Sequence, residues 1–130
     1  MLLFGHPFIH NSEFFHIFDI TAIEKTPPGA YIYLEYSKEN LDIIQHLQQN
    51  NITFALSVQT VTEAIYAAAL NADFIVVHKK IATMIQDIAE SYLFDAKVLA
   101  HITKESEIEA MARHGIDGVI FPEAIVKINS

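Results

Sequence analysis

A-D-F-I-V-V-H-K-K, residues 72–80, sets an unbroken apolar run from Phe74 to Val77 between Asp73 and His78, and then opens on two lysines. A short β-branched run bounded by polar residues reads as a strand buried on both faces. The next stretch is helical in period, because Ile81, Met84, Ile85, Ile88 and Ala89 recur on one side of a 3.6-residue repeat. A doubly buried strand leading into an amphipathic helix is the unit of a parallel sheet covered by helices. Ligands of such sheets bind outside the carboxyl ends of the strands, which makes His78 a position where chemistry is expected.

The same unit recurs on either side. A-Y-I-Y-L-E-Y (30–36) reads as a strand, with Ser37 capping a helix over 38–50 that turns Leu41, Ile44 and Leu47 inward. T-F-A-L-S-V (53–58) is the next strand, and Thr60 with Glu63 forms a capping box for a helix reaching Leu70. K-V-L-A-H-I (97–102) follows the helix after His78. Thr103 then reads as a cap, Ile108, Met111 and Ala112 as an inner face, and Gly115 as the turn before D-G-V-I-F (117–121). An echo runs through the chain at an offset of 44, pairing Asp73 with Asp117, Glu63 with Glu107 and Ala68 with Ala112. It reads as one βα unit obeying the same packing rules twice.

Residues 1–29 are an N-terminal extension of another kind. F-F-H-I-F (14–18) reads as an extra strand, D-I-T-A-I-E-K-T as a helical turn, and P-P-G (27–29) as a rigid stop. Phe4, Phe8, Phe14 and Phe15 make the extension too apolar for a loose tail, so it is expected to pack on a sheet edge or across a dimer interface. Residues 123–130 read as a tail. The expectation is therefore one α/β domain over 1–130, with βα repeats over 30–122 and a parallel sheet of five or six strands carrying helices on both faces.

Composition narrows the partners. The apolar fraction of 52% suits a folded chain, and no apolar run reaches the roughly 18 residues that span a bilayer. Sixteen acidic residues against eight basic ones leave a formal charge of −8, which opposes binding to nucleic acid or to an anionic membrane. The absence of cysteine removes disulfides, thiol catalysis and cysteine-ligated metals. With no basic leader and small-residue cleavage site at the N-terminus, the expected compartment is the cytoplasm.

From Tyr31 to Pro122 the element order resembles the receiver domain of two-component response regulators, down to A-x-x-x-G-x-D-G ahead of the last strand. The resemblance implies a flavodoxin-like sheet. It also implies that receiver phosphorylation has been lost. The acidic pair would fall on Glu35 and Tyr36, the phosphate acceptor on His78, the hydroxyl position on Ile102 or Thr103, and the lysine on Phe121. Phosphoryl transfer to aspartate needs carboxylate-held Mg²⁺ and a balancing lysine, so the chain would be a pseudo-receiver acting through protein contacts, expected as a homodimer. H-G-I-D-G-V-I-F is also similar to late βα units of TIM barrels, and the alternative fold is a partial barrel-like (βα) repeat.

The strand ends supply the candidate ligand-binding residues: Glu35, Ser57, His78, Lys79, Lys80, His101 and Thr103. Under a flavodoxin-like order the strands bearing Glu35, His78 and His101 would be neighbours. Those three would then be the ligands if the chain held a divalent metal, although no compact metal motif occurs and no cofactor is expected. Lys79 and Lys80 at a helix start oppose its dipole, which would suit a bound phosphate or carboxylate. The expected function is a non-catalytic pseudo-receiver-like domain working through protein or self association. The alternative is an α/β enzyme or binding protein that takes a small anion or a metal at the strand ends.

Overall fold

The structure, a computed structural model, describes residues 1–128. Eight short strands form a single all-parallel sheet: β1 (Leu2–Phe4), β2 (Phe14–His16), β3 (Tyr31–Glu35), β4 (Phe54–Ser57), β5 (Phe74–His78), β6 (Lys97–His101), β7 (Gly118–Ile120) and β8 (Ile125–Lys127). Four helices connect the central strands: α1 (Leu41–Gln49), α2 (Val61–Ala69), α3 (Lys79–Ser91) and α4 (Glu107–Arg113). Shorter 3-10 turns occupy Ile20–Lys25, Lys38–Asn40 and Pro122–Ala124. No helix among the described residues is long and apolar enough to cross a membrane.

The sheet order is β1-β7-β6-β5-β4-β3-β2-β8. From β2 to β7 each strand therefore lies beside its predecessor in the chain. A flavodoxin-like order would have placed β3 between β4 and β5, but β4 pairs with both of them. The reason is visible in the packing. Every βα step advances in the same direction, so residues of all four helices join one apolar cluster with Ile32, Leu34, Leu56, Ile75, Val77, Val98 and Val119. The opposite face carries no helix from this set. It is filled by the strands themselves, through Phe4, Phe14, Tyr33, Ala55, Val76, Leu99 and Ile120, with Leu2, Tyr31, Phe74 and Ile125 packed against them. Side chains alternate between the two faces along each strand, so the sheet curls round an inner core to which all eight strands contribute.

Two edges remain without a ladder between them, β1 beside β7 and β8 beside β2. They meet end to end. A Cβ on Gly5 would lie 2.9 Å from the nitrogen of Ala124, the residue before β8, while the Phe121 amide extends the β1–β7 ladder by donating to the Phe4 carbonyl at 2.9 Å. Gly5, at φ +85, makes the bend that this abutment needs. Gly118 leaves room for Leu2 and Leu99, since a Cβ there would fall 2.7 Å from Leu2 Cβ and 2.8 Å from Leu99 Cδ2. The two ends of the chain thus close the curl, and several expectations change. Residues 1–29 supply two strands, not one possible strand, and Phe4 and Phe14 are spent in the inner core, not at a dimer interface. Within the supposed tail, 125–127 form β8, while residues 129–130 lie outside the described residues.

Helix faces and caps follow the sequence closely, with local exceptions. Thr60 Oγ1 accepts from the Glu63 amide at 3.1 Å, but Glu63 reaches one residue further back than a capping box requires, to the Gln59 amide at 2.8 Å. On α3 the buried stripe is Ala82, Ile85, Gln86 and Ala89, leaving Met84 exposed. The rotation buries Gln86 so that its Oε1 accepts from the Asp117 amide at 3.0 Å. On α4 only Met111 is buried, and Ala112 faces solvent. The 44-residue echo has a structural basis: Asp73 accepts from the Phe54 amide and Asp117 from the Val98 amide, both at 2.9 Å, each tying its own strand to the start of the neighbouring one.

The inner core predicts a contrast between two phenylalanines four residues apart. Phe4→Ala should lower the stability measured by urea unfolding by about 3–5 kcal/mol, because it empties the centre of the curl. Phe8→Ala, at a residue 79% exposed, should change it by less than about 0.5 kcal/mol.

Candidate functional site at the mouth of the sheet

The inner face changes character at the carboxyl ends of the strands. On six of the eight strands the inward-facing residue next above the apolar core is polar or titratable: His16 above Phe14, Glu35 above Tyr33, Ser57 above Ala55, His78 above Val76, His101 above Leu99 and Lys127 above Ile125. Strand periodicity alone puts these side chains on the inner side. Each element contributes one group because each strand ends after the same alternation.

The groups fall into two arcs. In the first, His16 meets the Tyr33 ring edge to face with centroids 4.9 Å apart, and the Tyr33 phenol shares a hydrogen bond with Ser57. Burial lowers the His16 pKa below 6.5; Glu35 opposes that shift and Lys127 adds to it. Burial also raises the Tyr33 phenol, against the Ser57 hydrogen bond and with help from Glu35. In the second arc His78 and His101 are register partners across β5 and β6. Burial lowers the His101 pKa, the neighbouring His78 lowers it further, and Glu123 opposes both. The mouth thus gathers the His16, His78 and His101 imidazoles, the Lys127 ammonium and the Glu35 and Glu123 carboxylates around a phenol and a hydroxyl.

The positions read from sequence separate on this surface. Glu35 and Ser57 are register partners, as are His78 and His101, and these four belong to the mouth. Glu35 and His78 are not on neighbouring strands, since β4 intervenes, and the proposed Glu35, His78 and His101 ligand set is not assembled. Among the described residues no group of three or more His, Asp or Glu is placed to hold a metal ion. His78 caps α3, its Nδ1 accepting from the Lys80 amide at 3.1 Å. Lys79 does not await a ligand: its ammonium pairs with Glu107. The other Glu107 oxygen accepts from the amides of Thr103 at 3.2 Å and Lys104 at 3.0 Å. Thr103 therefore gives its amide to a carboxylate instead of capping α4 with its hydroxyl. Held by Lys79 first and by these amides next, the Glu107 carboxyl sits at about 2, well below its ordinary 4.5.

His16, Tyr33, Glu123 and Lys127 belong to the site and were missed. For His16 the signal was the alternation of F-F-H-I-F, already read as a strand, whereas I-V-K (125–127) is too short a run to be told from a loop, so Lys127 carried no usable signal. A cavity of about 850 Å³ opens at the opposite end of the molecule, between the carboxyl ends of α2 and α3, and its lining, including Ile65, Ile88, Leu93 and Phe94, contains no histidine. The inward-facing titratable groups converge at the mouth instead. No family model matches the chain, and no curated protein matches it.

The lowered histidines make stability depend on pH with a definite sign. The unfolded chain binds protons on His16 and His101 at about pH 6.5, before the folded one does, so this contribution is intact above that pH and is lost as pH falls through the lower folded values. Between pH 7.5 and 5.5 the melting temperature should fall, and it should fall less in a His16→Gln, His101→Gln double variant.

Proposed function

We propose that this chain binds a small anionic ligand at the mouth of the curled sheet. The observation that carries this reading is the inner-face switch from apolar to titratable side chains on six strands at the same end. An apolar floor with a few convergent polar groups is how small-ligand sites are built, and the carboxyl ends of parallel strands are where they occur. The groups present suit an anion that also carries a hydrogen-bond donor. Lys127 supplies the positive charge, the imidazoles of His16, His78 and His101 and the Ser57 hydroxyl can donate, and Glu35 and Glu123 accept. An anion entering here would raise the His16 and His101 pKa values, reversing the effect of burial.

Titration of the protein with inorganic phosphate, followed by the imidazole resonances in ¹H–¹³C NMR, tests the reading. Saturable shifts of His16 and His101 are expected, with affinity about tenfold weaker in Lys127→Ala, in keeping with the loss of one charge-assisted hydrogen bond. The absence of saturable shifts, or an unchanged affinity in the variant, would overturn it.

Self-association is a second reading, favoured by one observation at the other end. Tyr92 and Leu93 are 74% and 85% exposed beside the 850 Å³ cavity, with Leu93 at φ +53. The protein contact expected of a receiver-like domain would then lie there and not on the N-terminal aromatic residues. Sedimentation equilibrium should give a dimer that Tyr92→Ser with Leu93→Ser dissociates; a wild-type monomer at every concentration would exclude it.

A further inference from the structure

The pattern F-x-H-x-F occurs twice, as F-G-H-P-F (4–8) and F-F-H-I-F (14–18). The structure gives equivalent residues the same parts in both copies. The first phenylalanines, Phe4 and Phe14, are 2% and 0% exposed and meet edge to face at 5.0 Å within the inner core. The histidines follow at the carboxyl ends of β1 and β2. The last phenylalanines, Phe8 and Phe18, are 79% and 57% exposed, and each ring rests against its own histidine, at 5.3 Å for His6 and 4.3 Å for His16. Both strands thus deliver an imidazole backed by an exposed phenyl ring to the same end of the sheet.

Exposed apolar rings at a site of convergent polar groups forgo the burial that aromatic side chains normally supply. At β2 the aromatic and charged features form one surface: His16 lies between Phe18 and Tyr33 and responds to both Glu35 and Lys127. Resting on the anion-binding reading, we propose that the ligand is an aromatic carboxylate, its ring set against Phe18 or Phe8 and its carboxylate on Lys127 and the neighbouring imidazole. A single carboxylate suits the Lys127 ammonium, which stands on the inner side of β8 beside β2. A flat protein surface docking here would have to desolvate Lys127, Glu35 and Glu123 together, a cost that a small carboxylate avoids by pairing with Lys127.

The test compares benzoate with acetate on the full chain, by the His16 and Phe18 side-chain resonances. Benzoate is expected to bind about tenfold more tightly, the size of one good aromatic contact, and to impose ring-current shifts on Phe18 or Phe8. In Phe18→Leu with Phe8→Leu that advantage should shrink toward acetate. Equal affinities for the two anions would overturn the aromatic assignment and leave the anion site standing. So would a double variant that keeps the benzoate advantage but lowers the sedimentation mass, which would assign the rings to self-association. Silence of His16 and His101 toward benzoate, acetate and phosphate alike would remove the anion site itself, and this inference with it.

Discussion

The aromatic packing inside the sheet is the contact on which the architecture depends. Phe4 meets Phe14 at 5.0 Å and Phe74 at 5.6 Å, and Phe14 meets Phe74 at 5.4 Å, all edge to face. These three rings belong to β1, β2 and β5, so they tie the first strands of the chain to its centre across the interior. No ladder joins β1 to β8, and backbone hydrogen bonding alone would leave an open sheet with two edges. Burial of large rings on the concave side supplies what the missing ladder does not. Ala55 belongs to the same inner cluster, and Gly118 leaves room on that side for Leu2 and Leu99.

That packing also decides where the polar groups go. With the lower inward positions filled by rings and aliphatic side chains, the next inward position on each strand is the first that water can reach. His16, Glu35, Ser57, His78, His101 and Lys127 occupy those positions, and each is carried by a strand whose core residue is already fixed. Rigid strands hold such groups more closely than loops would, which is the condition for a preorganised site. The depressed histidines are the electrostatic sign of this placement: an imidazole resting on an apolar floor loses hydration that its charged form needs.

Glu107 shows how the loops around the mouth are fixed. Its two oxygens join Lys79, at the start of α3, to the amides of Thr103 and Lys104 after β6. Glu63 takes the Gln59 amide in the equivalent place two βα units earlier. With Lys79 used in this way, Lys127 on β8, the last strand of the chain, carries an ammonium on the inner side of the mouth. The echo at 44 residues thus records a shared way of fastening a loop, with one copy also recruiting a lysine from the adjacent helix.

The sequence by itself determined the βα units. Strands 74–78 and 97–101, the helix after the first of them, the Thr60 cap and the left-handed Gly115 are local matters of period, capping and backbone freedom, and they stand within a residue or two of where the residues placed them, whereas α4 starts at Glu107, three residues later than a Thr103 cap would set it. His78, His101, Glu35 and Ser57 were legible as strand-end residues for the same reason. Only the tertiary structure decided the order of the strands, and with it which strand ends are neighbours. An apolar strand buried on two faces looks the same whether helices cover both sides or the sheet curls upon itself. The distinction depends on whether Phe4 and Phe14 find Phe74 across the interior, a contact between residues far apart in the chain. For the same reason β1 and β8, three residues each, exist only because β7 and β2 offer them ladders, and His16 and Lys127 become part of a site only once those ladders form.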